Sequence, residues 1–571
     1  MPDRLRHLPL AWAVVLAVLL LGPALGPGYV LSYDLVWVPH LALRSDFVGL
    51  GTALPRAVPS DAVVAVLDTV VPGVLLEKVA LLVPLVAAAA GTCRLVGESL
   101  TARLVAVTLT VWNPFVAERL VLGHWTVLVG YGVLPWLVLA GRRARASGRL
   151  PTTAWLLMAL GSLSATAGVV SAVALLVSGW RRGPQGRRPG LTMIGCVLAT
   201  NAPWLVAGLL HADSATGPGA SVFALHPEGS LPAPLAALGL GGIWNAEVVP
   251  VSRTTFLSWL GLAVLLALAA IGARAWARSQ AGEVGRLLAL WGIGLGLACL
   301  TWLLPGATDW LAAHVPGGGL LRDGSRALAL CLPVYAGLPA AGAEILAERT
   351  AQGDVAIRRL VAGTCAVLPI VLLYDAAWGV AGALRPVAYP ASWGVAAAGT
   401  HLDRGDLLVL PFSAYRAPAW NHHHTVLDPL GRYLPADYVA DDVLVVSGTN
   451  IPGEDPRVRQ ARRALSLPTA RARTRALLRI GLGYVAVEHD VPGAREPRLV
   501  TRTLTKAPDL RVSRLVGRVH IRSHALVDVV AMSIAWAAYV AAVLVGAAGA
   551  LAGPAQRVRR RLRQAPHRAV C

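Results

Sequence analysis

The feature that most constrains this chain is a series of apolar runs, most of them long enough for a bilayer, joined by segments that are either strongly basic or nearly free of basic residues. A helix needs about 20 apolar residues to cross the hydrocarbon layer, and only helices and closed barrels satisfy their own backbone there. Runs at about 8–26, 74–90, 101–113, 126–140, 190–210, 254–273, 286–304, 327–345, 360–374 and 526–551 therefore read as spanning helices. The apolar stretch 152–180 has basic clusters on both flanks, so one crossing would strand a cluster on the wrong side. It reads as two short helices hinged near SLSATAG, tolerable only if their backbone packs inside protein. The expected fold class is a mainly α polytopic membrane protein of about 12 transmembrane helices, with a small extracytoplasmic α/β domain.

Charge sets the expected orientation. The 571 residues are 56% hydrophobic and only 14% charged, yet the net charge is +20. In a soluble protein that excess would suggest nucleic acid; here it sits in short clusters beside apolar runs, at RRARASGR, WRRGPQGRR and RVRRRLRQ. Such clusters stay in the cytoplasm, so no nucleic-acid partner is expected. Both termini are predicted cytoplasmic, in the plasma (inner) membrane, with the first run an uncleaved helix behind Arg4 and Arg6.

The predicted organisation is a multi-span module at 1–376 with outer loops 27–73, 114–125, 211–253 and 305–326, then a polar segment at 377–524. A last transmembrane helix at 525–552 and a basic tail at 553–571 follow. In the polar segment GDLLVLPFSAY and GYVAVEHD read as strands, DPRVRQARRAL and TRALLRIG as helices. PSDAVVAVLDTVVPG reads as a helix lying on the outer surface, capped by Ser60 or Asp61, with Asp61 and Asp68 on its polar side. None of the six cysteines falls in the polar segment, so neither a disulfide framework nor a zinc signature is read there. The run His422, His423, His424 reads as a surface loop, because consecutive side chains point apart. No G-x-x-x-x-G-K-[ST], H-E-x-x-H or G-x-S-x-G is present, which argues against an ATP-driven pump and a zincin and leaves a serine hydrolase unsupported.

Chemistry concentrates in the outer loops. Asp34 lies among Tyr33, Leu35, Val36 and Trp37, where desolvation is expected to raise its pKa and suit it to act as a base. Arg322 and Arg326 precede a span, spaced to share one side of a helical turn and grip a phosphate, with Arg119 as a further candidate. Glu118, Arg119 and His124 form the densest ionisable set beside apolar runs, and groups at that depth pair or work. Competing pairings are Glu118 with Arg119 and Arg322 with Asp323. Trp244 and Asn245 could stack on and hydrogen-bond a sugar.

These pieces resemble the GT-C superfamily of polytopic, polyprenyl-phosphate-sugar-dependent glycosyltransferases, on SYDLVW, NPFVAERLVLGHW with GYGVLPW, LGGIWN, LLRDGSR, and LPFSAY followed by LDPLGRYLP. The likeness is to uncharacterised actinobacterial members and, more distantly, to YfhO-like proteins and cell-wall arabinofuranosyltransferases. It implies inverting sugar transfer at the outer face, with Asp34 as base, Arg322, Arg326 and Arg119 on the donor phosphate, and Glu118 and His124 in support. The implied partners are a polyprenyl-phosphate-linked sugar, an envelope glycan, glycolipid or protein acceptor, and the bilayer. No cofactor is firmly implied. A divalent cation stays open, because Asp34 stands without the second acid many members carry nearby. A transporter or flippase for an envelope lipid would use the same basic outer groove without chemistry, and a non-catalytic scaffold would recruit envelope enzymes through its 377–524 domain.

Overall fold

The structure, a computed structural model, describes residues 7–564 apart from 53, 213–218, 400–401, 403, 447–448, 452, 490 and 492–495. Arg4, Arg6 and the end of the tail with Cys571 lie outside the described residues. Among the described residues, ten helices are long and apolar enough to cross a membrane: Leu8–Leu25, Gly73–Leu95, Leu100–Val121, Trp125–Ser147, Pro184–Leu210, Leu257–Ser279, Val284–Leu303, Gly324–Ala351, Val355–Leu372 and Leu526–Ala552. The segment 152–180 adds two short helices, Thr153–Gly161 and Ala165–Gly179, broken where Ser164 caps the second. The last helix runs on to Gln564, so the stretch expected as a tail begins as its extension.

Burial sorts the helices into layers. Leu100–Val121, Trp125–Ser147 and Gly324–Ala351 are largely buried, while Leu257–Ser279 and Val355–Leu372 turn most of their apolar surface outward, as lipid-facing helices do. Small residues let the layers approach. A Cβ on Gly342 would lie 1.8 Å from the Leu268 carbonyl oxygen, and one on Gly272 would lie 2.4 Å from that of Leu338. Backbones this close gain dispersion contacts that lipid tails cannot supply.

Several loops expected to be irregular are ordered. Asn113 stops the Leu100–Val111 helix, and its side chain then accepts from the Val116 N–H to start a new helix, Pro114–Val121, where a turn was expected. The surface helix is Ser60–Leu67, with no side-chain cap, and its acids do not face away. Asp61 is buried in an ion pair with Arg432, and Asp68 accepts from the Leu41 N–H. A buried carboxylate needs a partner; a local pattern does not reveal one 371 residues away.

The segment after Val355–Leu372 carries a five-stranded mixed sheet in the order Thr501–Lys506, Leu510–Leu515, Leu482–Glu488, Asp406–Leu410, Tyr438–Val439. The first two pairings are antiparallel and the last two parallel. Helices Pro456–Leu465 and Ala470–Arg479 supply one core, and Trp393, Leu430 and Leu434 the core of the opposite face. Every residue of Leu482–Glu488 is therefore buried. Arg416, Asp428 and Glu488 form a buried ion-paired triad at its end.

This sheet-bearing unit is stitched onto the loop that follows the first helix. Tyr29–Val30 pairs with Pro386–Val387, the Tyr33 N–H donates to Thr425 O, and the Leu427 N–H donates to Tyr33 O. Val426–Leu427 in turn pairs with Tyr415–Arg416. Residues far apart in sequence thus converge on the segment 32–35.

Candidate functional site

Asp34 stands at the tip of a tight turn closed by reciprocal backbone hydrogen bonds between Ser32 and Leu35. Tyr33 takes a left-handed φ of 46°, which is uncommon for a bulky residue and worth a functional question. The turn buries Leu35 and leaves the Asp34 side chain 41% exposed. Behind it runs Gly123, at φ 82°, where a Cβ would lie 2.1 Å from the Leu35 nitrogen. Gly123→Ala is expected to destabilise the protein by at least about 1–2 kcal/mol from backbone conformation alone, plus the clash, read as a lower melting temperature in detergent. A variant that melts with wild type would show the turn to be freer than this packing implies.

Two donors hold the Asp34 carboxylate. The Tyr415 hydroxyl, from the sheet-bearing unit, donates to one oxygen at 2.5 Å, and His124 Nε2 lies 3.4 Å from the other. His124 Nδ1 faces Arg119 Nη1 at 3.0 Å. A guanidinium only donates, so Nδ1, at the shorter distance, is the acceptor and the ring proton sits on Nε2, which lies 3.4 Å from both Asp34 and Arg326 Nη2. Burial, followed by the nearby Arg326 charge, pushes the imidazole down to about 4, so it is neutral at neutral pH.

The arginines arrive from two further segments. Arg119 is almost fully buried; it pairs with Asp323 at 3.0 Å and donates to Ser325. Arg326 pairs with the same Asp323 at 2.8 Å and keeps a quarter of its side chain exposed. Asp323 is held well below the usual carboxylate range because Arg119, Arg326 and the Ser325 hydroxyl outweigh the cost of burial. Arg322 lies 3.6 Å from Glu454 and stacks over the Phe223 ring, while Arg56 pairs with the same Glu454 at 2.8 Å. Burial, and then Arg56, lower the Arg322 guanidinium to about 10.

Set against expectation, the cluster corrects several points. Burial does work to raise the Asp34 carboxyl, but His124, Tyr415 and Arg326 outweigh it and leave the pKa below its ordinary value. Arg322 and Arg326 do not share one side of an α-helical turn. The backbone from Gly324 to Cys331 is a 3-10 helix and the two take different partners. Asp323 pairs with Arg119 and Arg326 in place of Arg322. Glu118 is buried, with Glu228, Arg119 and Arg253 as its charged neighbours. Arg119 has both Nη atoms taken by protein partners, His124, Asp323 and Ser325. The Trp244 ring packs edge-on against Phe223 with centroids 4.8 Å apart, and Asn245 caps a turn by accepting from the Glu247 N–H. Tyr33 donates to Glu247 at 2.5 Å, which brings the 244–247 loop beside the Asp34 turn.

Sequence reasoning missed Arg56, Glu454, Phe223, and Tyr415 as the partner of Asp34. It also missed His424, whose Nε2 lies 2.8 Å from the Ser32 hydroxyl and ties the histidine loop to the Asp34 turn. Tyr415 lay in a motif singled out, LPFSAY, and His424 in the histidine run read as a surface loop; Arg56 and Glu454 carry no local signal.

Four arginines (56, 119, 322 and 326) line the cleft, paired with Asp323 and Glu454, and Arg322 and Arg326 each keep about a quarter of the side chain exposed toward an incoming anion. A divalent cation does not fit this donor set. Both Asp34 oxygens already face donors, guanidinium groups line the cleft, and among the described residues no three metal-ligating side chains converge.

No family model matches the chain, and no curated protein matches it. Among solved structures it is similar to the arabinofuranosyltransferase AftD from Mycobacteria, seen by cryo-electron microscopy, with a TM-score of 0.53 and 16% identity over 91% of this chain and 40% of that one. Two classes of a point mutant of AftD give TM-scores of 0.51 and 0.50, at 16% and 17% identity, over 90% and 91% of this chain. The chain thus spans about two fifths of the length of AftD. What this likeness establishes is architecture: the protein has a GT-C-like membrane fold.

Proposed function

We propose that the protein is a membrane glycosyltransferase of the cell envelope that transfers a sugar from a polyprenyl-phosphate donor to a glycan, glycolipid or protein at the outer face of the plasma membrane. One observation carries this reading. The carboxylate of Asp34, partly open to solvent, sits between a neutral imidazole and a phenol, beside Arg326, which pairs with Asp323 and keeps a quarter of its side chain exposed. The acceptor hydroxyl gives its proton to Asp34 as its oxygen bonds the anomeric carbon. The bond from that carbon to the phosphate oxygen breaks, and its electron pair stays on the phosphate. Arg326 and Arg322, each still partly exposed, meet the added charge, while Arg119 fixes Asp323 and His124 behind them. A long-chain lipid donor enters from the bilayer without leaving it, which accounts for a reactive cleft built on spanning helices.

The test is incubation of membranes containing the protein with radiolabelled polyprenyl-phosphate arabinose or mannose and an envelope acceptor fraction. Label should pass to the acceptor; absence of transfer from either donor would remove the enzymatic reading.

The pH dependence follows from the sign at Asp34. A base must be ionised, and a depressed pKa keeps it so throughout the neutral range, so kcat/KM is expected to stay flat and to fall only below the ordinary carboxylate value of about 3.9. Tyr415→Phe removes a hydrogen bond to the ionised form and should move that acid limb upward. An unchanged limb would place the titrating base elsewhere.

A further inference from the structure

A second cavity, of about 400 Å³, opens in the sheet-bearing unit and is lined by Phe412, Ser413, Asp441, Asn450 and Arg462 together with Ala414 and Val443. Its size falls within the range of about 300–1,000 Å³ usual for small-ligand pockets. We propose that it binds a saccharide unit of the acceptor, one or more residues away from the hydroxyl that receives the new sugar. The inference rests on the glycosyltransferase reading for the word acceptor, but the cavity's chemistry stands apart from it.

Three observations point to a neutral glycan. First, the lining mixes hydroxyl, amide, carboxylate and guanidinium groups with an aromatic ring and small apolar surfaces. A sugar, with apolar ring faces and hydroxyl edges, uses that mixture. Second, Arg462 is held in place: its guanidinium donates to Asp441 at 2.5 Å and lies 5.7 Å from the centre of the Phe412 ring. Asp441 is fixed in turn, since its other oxygen accepts from the Val443 N–H. Because the one cation is matched by the one carboxylate, the cavity lining carries no net charge. A phosphate or an anionic headgroup would find no surplus charge there. Third, the lining lies outside every candidate spanning helix, so no lipid tail has reason to enter.

Two segments that line this cavity also supply residues of the Asp34 cleft. In one, the Ser413 hydroxyl donates to Tyr415 O at 2.9 Å, and the Tyr415 hydroxyl donates to Asp34. The other, which supplies Asp441 and Asn450, leads on to Glu454, the counter-ion of Arg322 and Arg56. An extended acceptor lying along this route would place one unit in the cavity and its reactive end at Asp34. The donor, by contrast, would come from the bilayer side.

The experiment uses the full chain in detergent, with a linear arabinofuranose tetrasaccharide and a methyl arabinofuranoside as acceptors and polyprenyl-phosphate arabinofuranose as donor. Wild type should show a lower KM for the tetrasaccharide than for the methyl glycoside. The double variant Arg462→Ala/Asn450→Ala changes side chains exposed to solvent. It should erase that preference, a loss of about tenfold or more, and Arg462→Lys/Asn450→Ala, which keeps a cation beside Asp441, serves as the variant whose melting temperature stays near wild type. Binding of the tetrasaccharide, read by saturation-transfer NMR without donor, should weaken in parallel. If transfer proceeds and the double variant keeps the full preference, the subsite is wrong and the glycosyltransferase reading survives. If the tetrasaccharide binds wild type but not the double variant and no transfer occurs, the saccharide site stands and the enzymatic reading falls. A tetrasaccharide that neither binds nor accepts sugar overturns the inference.

Discussion

Asp34→Asn is expected to lower kcat for sugar transfer by about 10²–10⁴-fold, the usual contribution of a positioned general base, with little change in KM for the polyprenyl-phosphate donor. The substitution keeps the size of the side chain and an oxygen to accept from Tyr415 or His124, so the turn at Ser32–Leu35 should hold. What it removes is the negative charge that takes the acceptor proton. Asp34 is partly exposed, and its loss leaves no buried cation without a counter-ion, because Arg326 remains paired with Asp323. The measurement is label transfer in membranes, with protein content and melting temperature matched to wild type. Transfer within about threefold of wild type would take Asp34 out of the mechanism and leave only the architecture.

The second large effect falls on stability. Arg119→Met is expected to destabilise the protein by about 3–5 kcal/mol, the range for breaking a buried ion pair from one side. Arg119 and Asp323 are both almost fully buried, and the variant would leave Asp323 to Arg326 and Ser325 alone. It would also remove the donor that fixes the His124 tautomer. Asp323→Asn added to Arg119→Met should recover a good part of the loss, since the uncompensated charge is then gone. Thermal melting in detergent reads both variants. A single variant that melts within a degree or two of wild type would mean that the cluster tolerates the missing cation, contrary to the burial seen.

The architecture was legible in the chain because hydropathy is a local property. The apolar runs, the Asn113–Pro114 break, the two short helices of 152–180 and the strand GYVAVEHD each announce themselves within a dozen or so residues. Asp34, His124 and the arginines also stood out locally, as ionisable groups beside apolar runs where a charge must pair or work. Their partners could not be read the same way. Tyr415 reaches Asp34 across 381 residues, Arg119 meets Asp323 across 204, and Arg56 shares Glu454 with Arg322 through a contact that no motif marks.

By itself, then, the sequence determined that this is a membrane protein of many helices with a small α/β unit, and which polar residues would sit near its loops. Only the tertiary structure decided which of them meet, and that the Asp34 pKa moves down where local context implied up. The reason is physical: burial raises a carboxyl, but the sign of its net shift depends on which donors and charges arrive within a few ångströms. Those come from segments whose approach is set by packing and strand pairing across the whole chain.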